Sequence, residues 1–314
     1  MFDKITIKGK VAIEDVPTIV LKNYLEECTQ GDEVFYKSTA YANFDGCHIE
    51  IRGTQIKCRC SICKLWSKEH TGKLENSKPM TMANAVRTIN SLLLRLMLRP
   101  EDAWVTYYEI GLTMKMERPA DEYINEVLDI KERTMWNDAN YPVNQQKTTE
   151  KSKHFRKIMK IYNKTHEAEE KKRVGVEKNV LRIETIYRHQ KVALTELISS
   201  YYLRKIGRIF YEDWTALRFR RNIRAKEGVR LGQLERAREL FAIGPDAYIA
   251  KYKQMFVDRQ ITKKQWETMR TYAKQWDRHK EMFVEEQTEY ESEYKDRILR
   301  GYQVGIVTHW KENS

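Results

Sequence analysis

Tyr162 and Lys164 close a segment, Arg156–Lys164, that alternates with period two, and a second such segment runs from Asn179 to Arg188. In a strand, residues i, i+2 and i+4 share a face. Lys160, Tyr162 and Lys164 therefore fall on one face, with Met159 and Ile161 opposite. Arg182 and Glu184 share a face in the second segment, with Leu181, Ile183 and Thr185 opposite. A third strand, Trp104–Met114, sets Tyr107 and Glu109 against the apolar face of Tyr108, Ile110, Leu112 and Met114. Three apolar faces packed on the same helices would bring the polar groups together on one open sheet face. Such a set suits phosphoryl transfer from DNA to a tyrosine. A free tyrosine, with a pKa of about 10, is a poor nucleophile at neutral pH. Lys164 would favour its phenolate and offset charge in the transition state. Glu109 and Glu184 are oxygen ligands of the kind Mg²⁺ or Mn²⁺ prefers, while Arg182 would meet DNA and Lys160 phosphate or solvent.

The segment KIMKIYNKTHE, followed by NVLRIE, resembles the active-site region of phage and plasmid rolling-circle replication initiators of the filamentous-phage type. That family's pattern is a hydrophobic strand ending in Tyr-x-Lys-x-x-Glu, then a strand reading Leu-x-Arg-hydrophobic-Glu. Tyr162, Lys164 and Glu167 match the first part; Leu181, Arg182, Ile183 and Glu184 match the second. Similar members carry an acidic residue where Glu109 falls, and the likeness extends over residues 45 to 280. It implies a metal-dependent nickase with Tyr162 as nucleophile and Lys164 beside it. Glu109, Glu184 and Glu167 would serve as metal ligands for Mg²⁺ or Mn²⁺. The product it implies is a 5′-phosphotyrosine with a free 3′-hydroxyl, which later attacks the adduct and rejoins the strand. Origin DNA, single- and double-stranded, is the implied partner, with a host helicase and polymerase acting beside it in a bacterial cytoplasm. A mobilisation relaxase and a non-catalytic DNA-binding regulator are the alternative readings.

Composition agrees with a polyanionic partner: Lys+Arg 57 against Asp+Glu 45 gives a net charge of +12 in 314 residues. No apolar run approaches the roughly 20 residues a membrane span needs. The first residues, MFDKITIKGK, lack the apolar core of a signal peptide. Five cysteines, an odd number, suit a reducing compartment.

Around these strands the sequence predicts an α+β domain over residues 1–189, a mixed or antiparallel sheet with helices on one face. An all-helical region that binds DNA is expected over 190–314. Strands are expected at Phe2–Lys8, Glu33–Ala42, His48–Arg52 and Gln55–Arg59, and helices at Met82–Leu98 and Ala120–Ile130. Asp138–Lys153 reads as a loop. Val192–Arg221 reads as one long helix ending in the basic run Arg218, Arg220, Arg221 and Arg224, expected to contact DNA. Leu231–Phe241, Ala247–Val257 and Thr262–Gln275 follow as helices, with Thr262 and Gln265 forming a capping box.

Two further features could act. Cys58-x-Cys60-x-x-Cys63, with Cys47 and His48 upstream, has enough ligands for zinc. Family members instead resemble a Gly-Ser-hydrophobic-His-Lys-aromatic strand here, which Ser61, Lys64 and Trp66 keep, so no zinc is expected. His154 and His166 flank the tyrosine strand, and Tyr201 with Tyr202 forms a rival nucleophile pair.

Overall fold

The computed structural model describes residues 2–39, 46–74, 80–131, 133–138, 140, 145–149, 156–171 and 177–307. The strands of its first half are β1 (Phe2–Lys10), β2 (Glu26–Gln30), β3 (Glu33–Lys37), β4 (His48–Arg52), β5 (Gln55–Ser61) and β6 (Ala103–Lys115). Short strands β7 (Val127–Ile130), β8 (Arg133–Thr134), β9 (Trp136–Asn137) and β10 (Gln145–Lys147) precede β11 (Lys157–Asn163) and β12 (Val180–Ala193). Ten of these form one sheet in the order β2-β3-β4-β5-β1-β6-β12-β11-β10-β9. Its described pairings are antiparallel, and β6 and β12 are the long central strands. The helices of this half are α1 (Val16–Lys22), α2 (Ile62–Thr71), α3 (Met82–Arg95), α4 (Ala120–Asn125) and α5 (Lys164–Glu170). The fold class is thus α+β, with a helical C-terminal region.

Strand register explains which face is which. Cys60 lies opposite Ile5, Ile5 opposite Tyr108, and Tyr108 opposite Tyr187. That row continues through Ile183 and Thr185 on β12 and is apolar. Helix α7 (Ser200–Thr215) packs there, its Trp214 Nε1 donating to Thr185 Oγ1 at 3.0 Å. The other face carries Lys4, Tyr107, Glu109, Tyr162, Arg182 and Glu184.

Contacts divide the chain into two compact units. One comprises Met1–Asn125, Asp129–Leu217 and Tyr294–Ser314; the other comprises Glu126–Leu128 and Arg218–Glu293. The expected division at 189/190 would cut through β12, where Val192 and Ala193 still pair with Val105 and Trp104. Pairing with β6 overrides the helical pattern there. The expected single helix Val192–Arg221 is consequently broken into the end of β12, then α6 (Leu194–Leu197), α7, and strands β13 (Leu217–Phe219) and β14 (Asn222–Ala225). Ser199 starts α7 by accepting from the Tyr202 N–H at 3.2 Å. The expected helix Ala120–Ile130 stops at Asn125, because Val127 and Ile130 are buried in strand β7. Gln145–Lys147, expected in a loop, pairs with Lys160–Tyr162.

The second unit contains α8 (Leu231–Ile243), α9 (Pro245–Val257), α10 (Lys263–Lys274) and α11 (Trp276–His279). It is not wholly helical, since β14 pairs antiparallel with β15 (Phe283–Glu286). Its core gathers Ile223, Leu240, Tyr248, Tyr272, Trp276 and Phe283. The Thr262–Gln265 capping box forms as expected at the start of α10. Helix α12 (Glu289–Tyr302) leads back to the first unit. Among the described residues no helix is long and apolar enough to cross a membrane.

Candidate active site

Strands β6, β12 and β11 bring the polar groups together by register. Tyr162 lies opposite Arg182, Lys160 opposite Glu184, Glu184 opposite Gly111, and Arg182 opposite Thr113. The Tyr162 hydroxyl donates to Glu184 Oε1 at 2.9 Å, and Arg182 Nε donates to the same oxygen at 2.6 Å. Glu109, two residues back along β6 from Gly111, completes the expected pair of carboxylates. A third carboxylate joins them from β1: Asp3, Glu109 and Glu184 each offer an oxygen within 4.8 Å of the other two.

Asp3 escapes the sequence reading. One signal was available: Phe2 is out of phase with Ile5 and Ile7, and a register shift does lie between Phe2 and Ile5. That irregularity turns Asp3 inward, where it accepts from Ser61 Oγ at 2.7 Å and from Arg182 Nη2 at 2.5 Å.

Arg182 takes a different place from the expected one. It is 0% exposed, and its guanidinium reaches Asp3, Glu184 and, at 2.8 Å, Thr113 Oγ1. A group so enclosed orients carboxylates and does not present itself to DNA. Gly111 makes the room: a Cβ there would stand 3.1 Å from both Arg182 Nη2 and Glu184 Cγ. Lys164 is likewise displaced from the strand. β11 ends at Asn163, whose side chain accepts from the His166 N–H at 3.0 Å and so caps α5. Lys164 therefore opens a helix, yet its buried Nζ still lies 5.8 Å from the centre of the Tyr162 ring. Glu167 faces Lys164 and Lys171, so it stands apart from the three carboxylates.

Three more side chains of this face approach the site. Exposed Lys4 bonds both Glu109 oxygens at 3.2 and 3.3 Å, and half-buried Tyr107 donates its hydroxyl to Glu109. Lys160 sits 4.1 Å over the Tyr162 ring, at a favourable cation–π distance. His154 lies outside the described residues, and His166 pairs with Glu170 at 3.5 Å. Of the rival tyrosines on α7, Tyr201 is 71% exposed, while Tyr202 meets the Tyr108 hydroxyl at 3.3 Å. Both belong to the opposite side of the sheet.

Burial dominates the titration of these groups. It raises Tyr162 well above its ordinary value, with the Glu184 charge adding to the effect. Burial and the neighbouring Glu184 charge also push Glu109 up, against the pull of Lys4. For Asp3 burial works upward too, but the Arg182 guanidinium and the Ser61 hydroxyl outweigh it and hold the carboxyl low. Burial, followed by Arg182, brings the Lys164 ammonium down to about 8, more than Glu167 returns. Glu167 itself, despite burial, is held at about 2 by Lys164 and Lys171.

No family model matches the sequence, and no curated relative does. Among solved structures, a rolling circle replication initiator protein from Geobacillus stearothermophilus is similar over 74% of this chain and 89% of that one. The two share 9% identity with a TM-score of 0.39, too distant a likeness to assign a function.

The depressed Lys164 pKa has a measurable sign. Between pH 8 and 10.5 the unfolded lysine holds a proton that the folded one has released, so stability rises with pH across that window. Wild type should gain up to about 3 kcal/mol relative to Lys164→Met from pH 8 to 10.5. Denaturant melts of the two proteins at several pH values measure it; parallel curves would show that Lys164 titrates normally.

Proposed function

We propose that the chain is a rolling-circle replication initiator, a metal-dependent, site-specific enzyme that nicks and rejoins single-stranded DNA through a 5′-phosphotyrosine on Tyr162. One observation carries this reading: the Tyr162 hydroxyl donates to Glu184, whose carboxylate converges with those of Glu109 and Asp3. The motif resemblance across β11 and β12 and the +12 charge support it from the sequence side.

Glu184 Oε1 is placed to take the Tyr162 proton as the phenolic oxygen attacks phosphorus. The bond to the 3′-oxygen breaks, and that oxygen leaves as a hydroxyl after taking up a proton from solvent. Arg182 fixes the Glu184 carboxylate from its other side, and Lys164 contributes positive charge beside the ring. Lys4 and Lys160 cover the site with flexible cationic chains that swing outward to meet the phosphate they admit. Three carboxylates crowd together here, and the Glu184 charge already raises Glu109. That donor set fits Mg²⁺ or Mn²⁺, a hard cation that would be held by Asp3, Glu109 and Glu184 and would offset charge on the scissile phosphate. Glu167, expected as a ligand, serves instead to hold Lys164.

The test is incubation with single-stranded origin DNA and Mn²⁺, followed by a denaturing gel. A covalent protein–DNA band that depends on the metal supports the proposal. Nicked DNA without an adduct points to a hydrolytic nuclease, and intact DNA with tight binding to a regulator.

DNA affinity is assigned to the second unit. Arg218, Arg220, Arg221 and Arg224 are exposed while Phe219 and Ile223 between them are buried, the alternation of a strand and not of the expected helix. Arg218, Arg220 and Arg221 line a cleft of about 570 Å³ together with Arg238 and Phe241. Glu285 and Glu291 hold Arg221 at 3.4 Å. Replacing Arg218, Arg220, Arg221 and Arg224 by alanine should weaken origin binding. For every phosphate that the variant no longer neutralises, the slope of log K against log salt should flatten by about 0.9. An unchanged slope in a fluorescence-anisotropy titration would transfer the DNA surface to the first unit.

A further inference from the structure

On the apolar side of the sheet, away from the carboxylates, three of the five cysteines meet. Cys58 and Cys60 project from the same face of β5, and Cys47, on the segment leading into β4, faces them. Their sulfurs all lie within 4.8 Å of one another, and all three residues are buried. The expectation of no zinc weighed Cys58, Cys60 and Cys63 together with Cys47 and His48, and rested on the family's pattern for that strand. The structure removes Cys63 and His48 from the cluster. Ser61 caps α2, which turns Cys63 toward the Phe2 carbonyl at 3.2 Å, and His48 points outward. What spacing could not supply is the β4–β5 pairing, which sets Ile49 against Cys58 and thereby carries Cys47 up to Cys60.

Two alternatives fit three buried thiols: small apolar packing, or a soft-metal site. Arg95, at the last turn of α3, separates them. Its half-buried guanidinium stands beside Cys47. Apolar packing has no use for a cation at that place, whereas a thiolate ligand does. Charge also selects the ion. Three thiolates around a divalent ion leave one negative charge, which one arginine neutralises; around a monovalent ion they leave two.

We propose that Cys47, Cys58 and Cys60 form a structural zinc site that ties the β4–β5 pair of the sheet to α3, with Arg95 as its counter-charge. Zinc–sulfur bonds of about 2.3 Å put tetrahedral sulfurs about 3.8 Å apart. The cluster therefore needs to contract by about 1 Å at most. The fourth position falls to a water or another small ligand. The site needs no part of the nicking reaction.

Elemental analysis of the purified, reduced protein tests this. One zinc per chain is expected, retained in Cys63→Ser, Cys28→Ser and Glu184→Gln but lost in Cys47→Ser and Cys60→Ser. Should those two variants fail to fold, wild type still decides. Titration with an organomercurial should release zinc in step with thiol modification, and replacement by Co²⁺ should produce thiolate-to-cobalt charge-transfer absorption. Folded wild-type protein that contains no zinc and takes up neither Zn²⁺ nor Co²⁺ would overturn the proposal. So would zinc that persists in Cys47→Ser and Cys60→Ser but disappears in Glu184→Gln.

Discussion

Tyr162→Phe is expected to abolish the covalent protein–DNA adduct, lowering nicking by about 10⁴-fold or more, because phenylalanine has no oxygen to attack phosphorus. The fold should survive. The ring keeps its place beneath Lys160, and the loss is confined to the hydrogen bond to Glu184. A bond to a charged acceptor is worth about 1.5–3 kcal/mol, a modest shift in a thermal melt. Origin binding, assigned to the arginines of the second unit, should be unchanged. Glu184→Gln separates the neighbouring roles: it keeps the shape but removes the proposed proton acceptor and one charge of the proposed metal site, so activity should fall steeply and recover in part at high Mn²⁺. The measurement is a denaturing gel of protein with labelled origin DNA, beside anisotropy binding and melting curves. An adduct on Tyr162→Phe would end the assignment. Tyr107, whose hydroxyl rests on Glu109 in the same site, would then be tested before Tyr201 and Tyr202.

Arg182→Leu is expected to have the largest effect on stability. The guanidinium is wholly enclosed and bonds two buried carboxylates, Asp3 and Glu184, with Thr113 as a third partner. Removing one member of such a network leaves buried charge uncompensated, a cost of about 3–5 kcal/mol. For a unit of this size that corresponds to roughly 6–20 °C in melting temperature. The pH dependence should also reverse. In wild type, Asp3 is held low, so its contribution is present above the ordinary aspartate pKa and is lost as pH falls through the folded value. Without Arg182, burial, the largest influence on Asp3, is opposed only by the Ser61 hydroxyl and the Lys4 and Lys164 charges, and is expected to drive the carboxyl upward. The folded variant then binds more protons than the unfolded chain, and its stability should rise as pH drops from 7 toward 5. A variant that melts within about 1 °C of wild type at pH 7 would show that the network contributes little. A variant that weakens steadily toward pH 5 would show that Asp3 and Glu184 find another counter-charge.

The sequence by itself determined the fold class and the strands that carry the candidate site. Period-two alternation in Trp104–Met114, Arg156–Lys164 and Asn179–Arg188 is a local property, and it placed Glu109, Tyr162, Arg182 and Glu184 on faces that antiparallel pairing then aligned. The capping box at Thr262 was legible for the same reason, since its partners stand three residues apart. Tertiary structure decided what depends on distant partners. Asp3 enters the carboxylate cluster through a register irregularity in β1, more than a hundred residues from Glu109. Arg182 changes from a DNA contact to a buried clamp because Asp3 and Thr113 are waiting for its guanidinium and Gly111 leaves it room. Val192–Arg221 carries a helical pattern, yet its first residues extend β12 because β6 offers an unpaired edge there. Glu167 and Lys164 matched a strand motif but left the strand together once Asn163 capped a helix. The three-cysteine cluster likewise exists only after β4 pairs with β5. Local periodicity records which face a side chain takes; which charges meet on that face is set by pairing energies that no short window of sequence contains.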